Sequence, residues 1–110
     1  MNKTALTYND VLLKPQYSNI RSRAEVSIAS MLRGNGPTTQ LTLPIIASPM
    51  DTVSETQMGI AMWKHGGLAV VHRYNTIEEQ AAIVDKITVG ANCSAAGAIG
   101  TTGDYLDRAT

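Results

Sequence analysis

Phenylalanine is missing from all 110 residues, and cysteine nearly so, with Cys93 the single example. One thiol excludes an internal disulfide and makes a reducing cytoplasm the simple expectation. His65, His72 and Cys93 have none of the spacing of a zinc motif, so no metal site is expected. Excess charge is also lacking. Nine basic and nine acidic residues cancel, and the pairs Arg21/Arg23 and Lys64/His65 make no basic stripe, so neither nucleic acid nor a membrane surface is an expected partner. No apolar run approaches the ~20 residues of a membrane span. Met1 to Leu6 lacks the basic start and apolar run of a signal peptide. Repeats, low-complexity tracts and linkers are absent too, so residues 1–110 read as one domain. Its 44% hydrophobic and 16% charged residues fit a soluble globular chain.

Thr7-Tyr8-Asn9-Asp10 precedes Val11-Leu12-Leu13 and then Pro15, which reads as a turn-rich arm that proline ends. From Ala24 the period becomes two, with Val26, Ile28 and Ser30 on one face. Arg33-Gly34-Asn35-Gly36-Pro37 punctuates a turn, and Leu41 and Leu43 alternate with Thr42, so 25–43 is expected to be a hairpin. Pro44-Ile45-Ile46-Ala47-Ser48 reads as a strand buried on both faces. Ser54 with Gln57 matches a capping box for a helix carrying Met58, Ala61 and Met62, which Gly66-Gly67 ends. Leu68-Ala69-Val70-Val71 is a second strand. Thr76 with Glu79 is a second capping box, before a helix whose face is Ile77, Ala81, Val84 and Ile87. Ala95 to Ile99 is a third strand, and Asp104 to Thr110 starts a third helix.

This alternation is that of an α/β protein with a parallel sheet. Pattern alone does not separate an open doubly wound sheet from a (β/α)₈ barrel. A barrel needs ~250 residues, so this chain holds about three of its eight strands. Because the chain stops at Thr110, just inside the expected helix, it is expected to be truncated.

Ligands of parallel α/β folds gather at the carboxyl ends of strands. Ser48 offers a hydroxyl there, Met50 an adaptable contact for a flat ring, and Asp51 an acceptor; the plainer reading is a loop that Pro49 stiffens. After the second strand, His72 can move protons near neutrality and Arg73 can grip phosphate or carboxylate; the plainer reading is a solvated loop with a helix cap. Gly97-Ala98-Ile99-Gly100-Thr101-Thr102-Gly103 lacks the spacing and lysine of a phosphate loop and reads as a tight turn. Cys93 precedes its strand with no activating base, so a structural role is expected.

One segment is more specific than periodicity. Leu43-Pro44-Ile45-Ile46-Ala47-Ser48-Pro49-Met50-Asp51-Thr52-Val53-Ser54-Glu55 resembles the first barrel strand and loop of IMP dehydrogenase. Gly66-Gly67-Leu68-Ala69-Val70-Val71-His72-Arg73 resembles its second strand, Thr76-Ile77-Glu78-Glu79-Gln80 its second helix start, and Thr7-Tyr8-Asn9-Asp10-Val11-Leu12-Leu13 its arm. The chain thus resembles the IMP dehydrogenase and GMP reductase family along almost its whole length.

The resemblance implies the N-terminal portion of a (β/α)₈ TIM barrel, with an arm and hairpin over 1–43 and the first βα units over 44–110. It implies a homo-oligomer that binds a purine nucleotide, IMP or GMP, and a nicotinamide cofactor. In the dehydrogenase a cysteine thiolate attacks purine C2, hydride passes to NAD⁺ and water releases XMP, with a monovalent cation at the cysteine loop. The reductase converts GMP to IMP with NADPH, releasing ammonia. By resemblance Ser48 lies near the phosphate and ribose and Met50 near the base, and His72 and Arg73 are possible substrate or cofactor contacts. Arg73 stands where the reductase has a functional lysine, and Ser48-Pro49-Met50 where reductases have Ala-Asn-Met; both favour the dehydrogenase. Ile20-Arg21-Ser22-Arg23 has a reductase flavour. The CBS insert of most dehydrogenases is missing between Ile87 and Ala95. The catalytic cysteine loop, phosphate glycines, cation site and flap have no counterpart up to Thr110, so no catalytic residue is expected in this chain and no turnover by it alone. The rival reading is a noncatalytic partial barrel that self-associates through open sheet edges.

Overall fold

The computed structural model describes residues 4–33 and 38–110. Two short strands, β1 (Ser30–Leu32) and β2 (Thr39–Leu41), pair antiparallel with Ser30 opposite Leu41. A three-stranded parallel sheet follows in the order β3 (Ile46–Ala47), β4 (Leu68–Val71), β5 (Ala96–Gly97). Ile46 pairs with Leu68, and Val70 with Ala96. Helix α1 (Thr56–Lys64) connects β3 to β4, and α2 (Ile77–Asp85) leads towards β5. The fold is mixed α/β, built as two successive crossovers.

β4 is central because its Leu-Ala-Val-Val run suits both faces. Ala69 and Val71 are fully buried, while Leu68 and Val70 alternate to the other face, where they are half-buried. The core gathers on the helix side. Val71, Ile87 and Cys93 form its centre, flanked by Ile60, Trp63, Ile83 and Val84. Gly59 gives α1 its close approach, because a Cβ there would collide with the Ile87 side chain.

The end of α1 follows the expected glycine signal. Gly66 takes φ 84°, its N–H donates to the Trp63 carbonyl at 2.9 Å, and the Gly67 N–H donates to the Met62 carbonyl at 2.8 Å. This is the paired bonding that closes a helix through a left-handed residue. The second capping box is also present. The Thr76 hydroxyl accepts from the Glu79 N–H at 3.2 Å, and the Glu79 carboxylate accepts from the Thr76 N–H at 3.0 Å.

Several expectations are corrected. Ser54 does not cap α1; Glu55 holds the cap position without a side-chain bond, and the Ser54 hydroxyl serves the preceding loop. The hairpin is far shorter than 25–43, because Arg23–Glu25 form a 3-10 turn and Val26 and Ile28 stay exposed with no strand partner among the described residues. Of its expected turn at 33–37, residues 34–37 lie outside the described residues. The first parallel strand is not buried on both faces: β3 is an edge strand, with Ile45 and Ile46 about half exposed. On α2 it is Gln80, not Ala81, that is buried. The third strand shrinks to two residues, and the expected third helix to a 3-10 turn at Asp107–Ala109. Among the described residues no helix is long and apolar enough to cross a membrane.

Candidate functional site

The parallel register brings the loops after β3, β4 and β5 to one edge of the sheet. Ser48 and Met50 are both exposed on the first loop. The turn beneath them is tightly bonded. The Met50 carbonyl accepts from the Val53 N–H at 3.2 Å and from the Ser54 N–H at 2.9 Å. Thr52 between them takes φ 59°. The Ser54 hydroxyl, 1% exposed, donates to the Ser48 carbonyl and closes the turn.

His72 and Arg73, adjacent in sequence, part company in space. His72 is buried at 2% exposure. Its Nδ1 accepts the Tyr74 N–H at 3.2 Å, so the ring proton sits on Nε2, which faces Glu55 Oε1 at 3.4 Å and Asp51 Oδ1 at 3.9 Å. The Tyr74 ring stacks on it with centroids 6.1 Å apart. A cleft of about 390 Å³ opens here, lined by Asp51, Glu55, His72, Tyr74, Glu79 and Lys86 among others. Ser48, Met50 and Arg73 are not among its walls. Arg73 is exposed and rests beside the β5 loop, where a Cβ on Gly100 would lie 3.7 Å from its Nη1. Among the described residues no carboxylate pairs with it.

Beneath the loops runs a polar network that the sequence reading did not find. The Gln80 amide donates to the Ala98 carbonyl at 2.9 Å and to the Val71 carbonyl at 3.3 Å, tying the exits of β4 and β5 together. Arg108 donates to Gln80 Oε1 at 2.9 Å, to the Asn75 carbonyl at 2.8 Å and to Asp104 at 2.8 Å. A signal existed. Gln80 lies three residues after Ile77 and four before Val84, on the apolar stripe of α2, where a polar side chain has to find buried partners.

Cys93 is in the core, its Sγ 3.3 Å from the Ala91 carbonyl. It is not placed to act as a nucleophile at the loops. Among the described residues no group of three His, Cys, Asp or Glu side chains is placed to hold a metal.

A parallel βα frame with polar and apolar side chains raised at its strand exits defines an α/β protein of the kind whose ligands bind at that edge. The chain belongs to the IMP dehydrogenase / GMP reductase domain family, whose family model matches residues 5–110. It is 41% identical over 85 residues to inosine-5'-monophosphate dehydrogenase of Nitrosopumilus maritimus, covering 77% of this chain and 17% of that protein. It is 46% identical over 82 residues to GMP reductase of Leishmania donovani, covering 74% of this chain and 16% of that one. Its fold is similar to the crystal structure of GMP reductase from Trypanosoma brucei in complex with guanosine 5'-triphosphate. That match has a TM-score of 0.67 and 44% identity, over 79% of this chain and 20% of the other. The chain thus spans about a sixth of the length of the curated relatives it matches.

Proposed function

We propose that residues 44–110 are the first βα units of a (β/α)₈ barrel, with residues 1–43 as arm and hairpin, in an IMP dehydrogenase-like purine nucleotide oxidoreductase. The observation that carries this reading is the exposure of Ser48 and Met50 together at the carboxyl end of β3, beside the exits of β4 and β5. Ser48 offers a hydroxyl to the phosphate or ribose, and Met50 offers its thioether to the face of the purine. Arg73 contributes an exposed guanidinium at the next loop, suited to an anionic group of substrate or cofactor. His72 serves the loop from below. Bound NAD, or NADP in a reductase, supplies the hydride carrier, and the Arg73 guanidinium fits its phosphates. The cysteine and the monovalent cation of the chemistry belong to parts of the barrel other than these residues. The assembled enzyme is a cytoplasmic homo-oligomer.

The reductase is the second reading. The slightly higher identity with the Leishmania reductase, 46% against 41% and 44% for two dehydrogenases, supports it, while Arg73 in place of a lysine that shuttles protons supports the dehydrogenase.

Calorimetric titration of the chain with IMP and GMP tests the shared part. Weak binding is expected, and Ser48→Glu, which sets a carboxylate against the phosphate, should weaken it by about tenfold or more. Binding indifferent to that change counts against the assignment. With IMP and NAD⁺ the chain alone should form no NADH, since its one thiol is in the core; measurable turnover contradicts this.

A further inference from the structure

We infer that Ser54 and Thr52 are positioning residues for the nucleotide rim, acting through Ser48 and Met50 rather than touching a ligand. The binding arm of this inference rests on the purine reading above; the conformational arm does not.

Thr52 sits at φ 59°, a left-handed conformation that β-branched residues rarely adopt. Glycine would hold it without strain. The chain instead surrounds a strained threonine with bonds that fix it. Two N–H groups, from Val53 and Ser54, converge on the Met50 carbonyl. The Ser54 side chain, almost wholly buried, reaches back six residues to the Ser48 carbonyl. Both anchors act on the carbonyls of the two residues that carry the exposed rim. α1 itself begins at Glu55 without a side-chain cap. Backbone strain kept in place by its surroundings occurs typically where geometry matters for ligand contact.

Two variants of the chain, with ¹³C-methyl-labelled methionine, test this. Thr52→Gly relieves the strain and frees the turn, and Ser54→Ala removes the anchor. Urea unfolding followed by Trp63 fluorescence reports the core, and the Met50 methyl signal reports the rim. For Thr52→Gly the unfolding midpoint should be no lower than in the parent, yet the Met50 methyl should broaden or split. IMP or GMP affinity should fall about tenfold, the scale of re-ordering one freed backbone residue on binding. Ser54→Ala should give the same change at Met50 with a lower midpoint. A Met50 signal unchanged in Thr52→Gly overturns the inference, as does unchanged nucleotide affinity where the parent binds. If the parent binds neither nucleotide, the purine reading fails while the methyl signal still decides the positioning claim.

Discussion

Asp10 shows how local bonding sets a charge state even in a fully exposed arm. Its carboxylate accepts from the Thr7 N–H at 2.8 Å and from the Thr7 hydroxyl at 2.9 Å. These bonds, the backbone one first, hold its pKa below the ordinary carboxylate value. The turn at Thr7–Asp10 therefore has this support in full above the ordinary value and loses it as pH falls through the lowered one. In Thr7→Ala the side-chain bond is gone, and the Asp10 titration followed by carboxyl ¹³C NMR should move up towards that of a free aspartate. Gln80 is the deeper example. Gln80→Ala leaves the Val71 and Ala98 carbonyls and the Arg108 guanidinium without their amide, which should cost about 1–3 kcal/mol in urea unfolding. A loss of a few tenths would show that water replaces the amide. Candidate site residues were unevenly legible at this scale. Ser48 and Met50 stand out because motif and strand end coincide. Ser54 did not, because its spacing to Gln57 mimics a cap, and a hydroxyl reaching back to a carbonyl leaves no trace in spacing.

At the scale of elements, punctuation was the clearest text. Gly66 combines φ 84° with a Cβ position that would run into the Thr42 side chain. Gly66→Ala should thus destabilise by more than the ~1 kcal/mol of an ordinary glycine-to-alanine misfit, and Thr76→Ala by about 1 kcal/mol through loss of its cap; thermal unfolding of both checks the order. Parallel β4 was legible from its four apolar residues. The ends of the hairpin were not, because alternation at Val26 and Ile28 promises a strand only if something covers that face, and both stay exposed. Strand pairing is a property of neighbours, and pairing with β4 sets lengths for β3 and β5 that single runs do not encode.

For the whole molecule, surface is the telling quantity. The chain exposes 9095 Å², against about 5,900 Å² for a compact monomer of its mass. Its radius of gyration, 17.7 Å, exceeds the ~13 Å of a compact domain of this length. Leu12, Leu13 and Tyr17 on the arm are at least 95% exposed, and among the described residues β3 and β5 each present an unpaired edge. Open edges and uncovered apolar side chains favour association. Sedimentation velocity at micromolar concentration should show dimers or larger species, and a stable monomer would contradict this. The central claim, that the β3 exit is the rim of a purine site, is tested most directly by a crystal structure of the chain soaked with IMP. The purine ring should lie against Met50 with its phosphate or ribose near Ser48; a nucleotide lodged instead in the acidic cleft beside His72, or packed away from the strand exits, would contradict that claim.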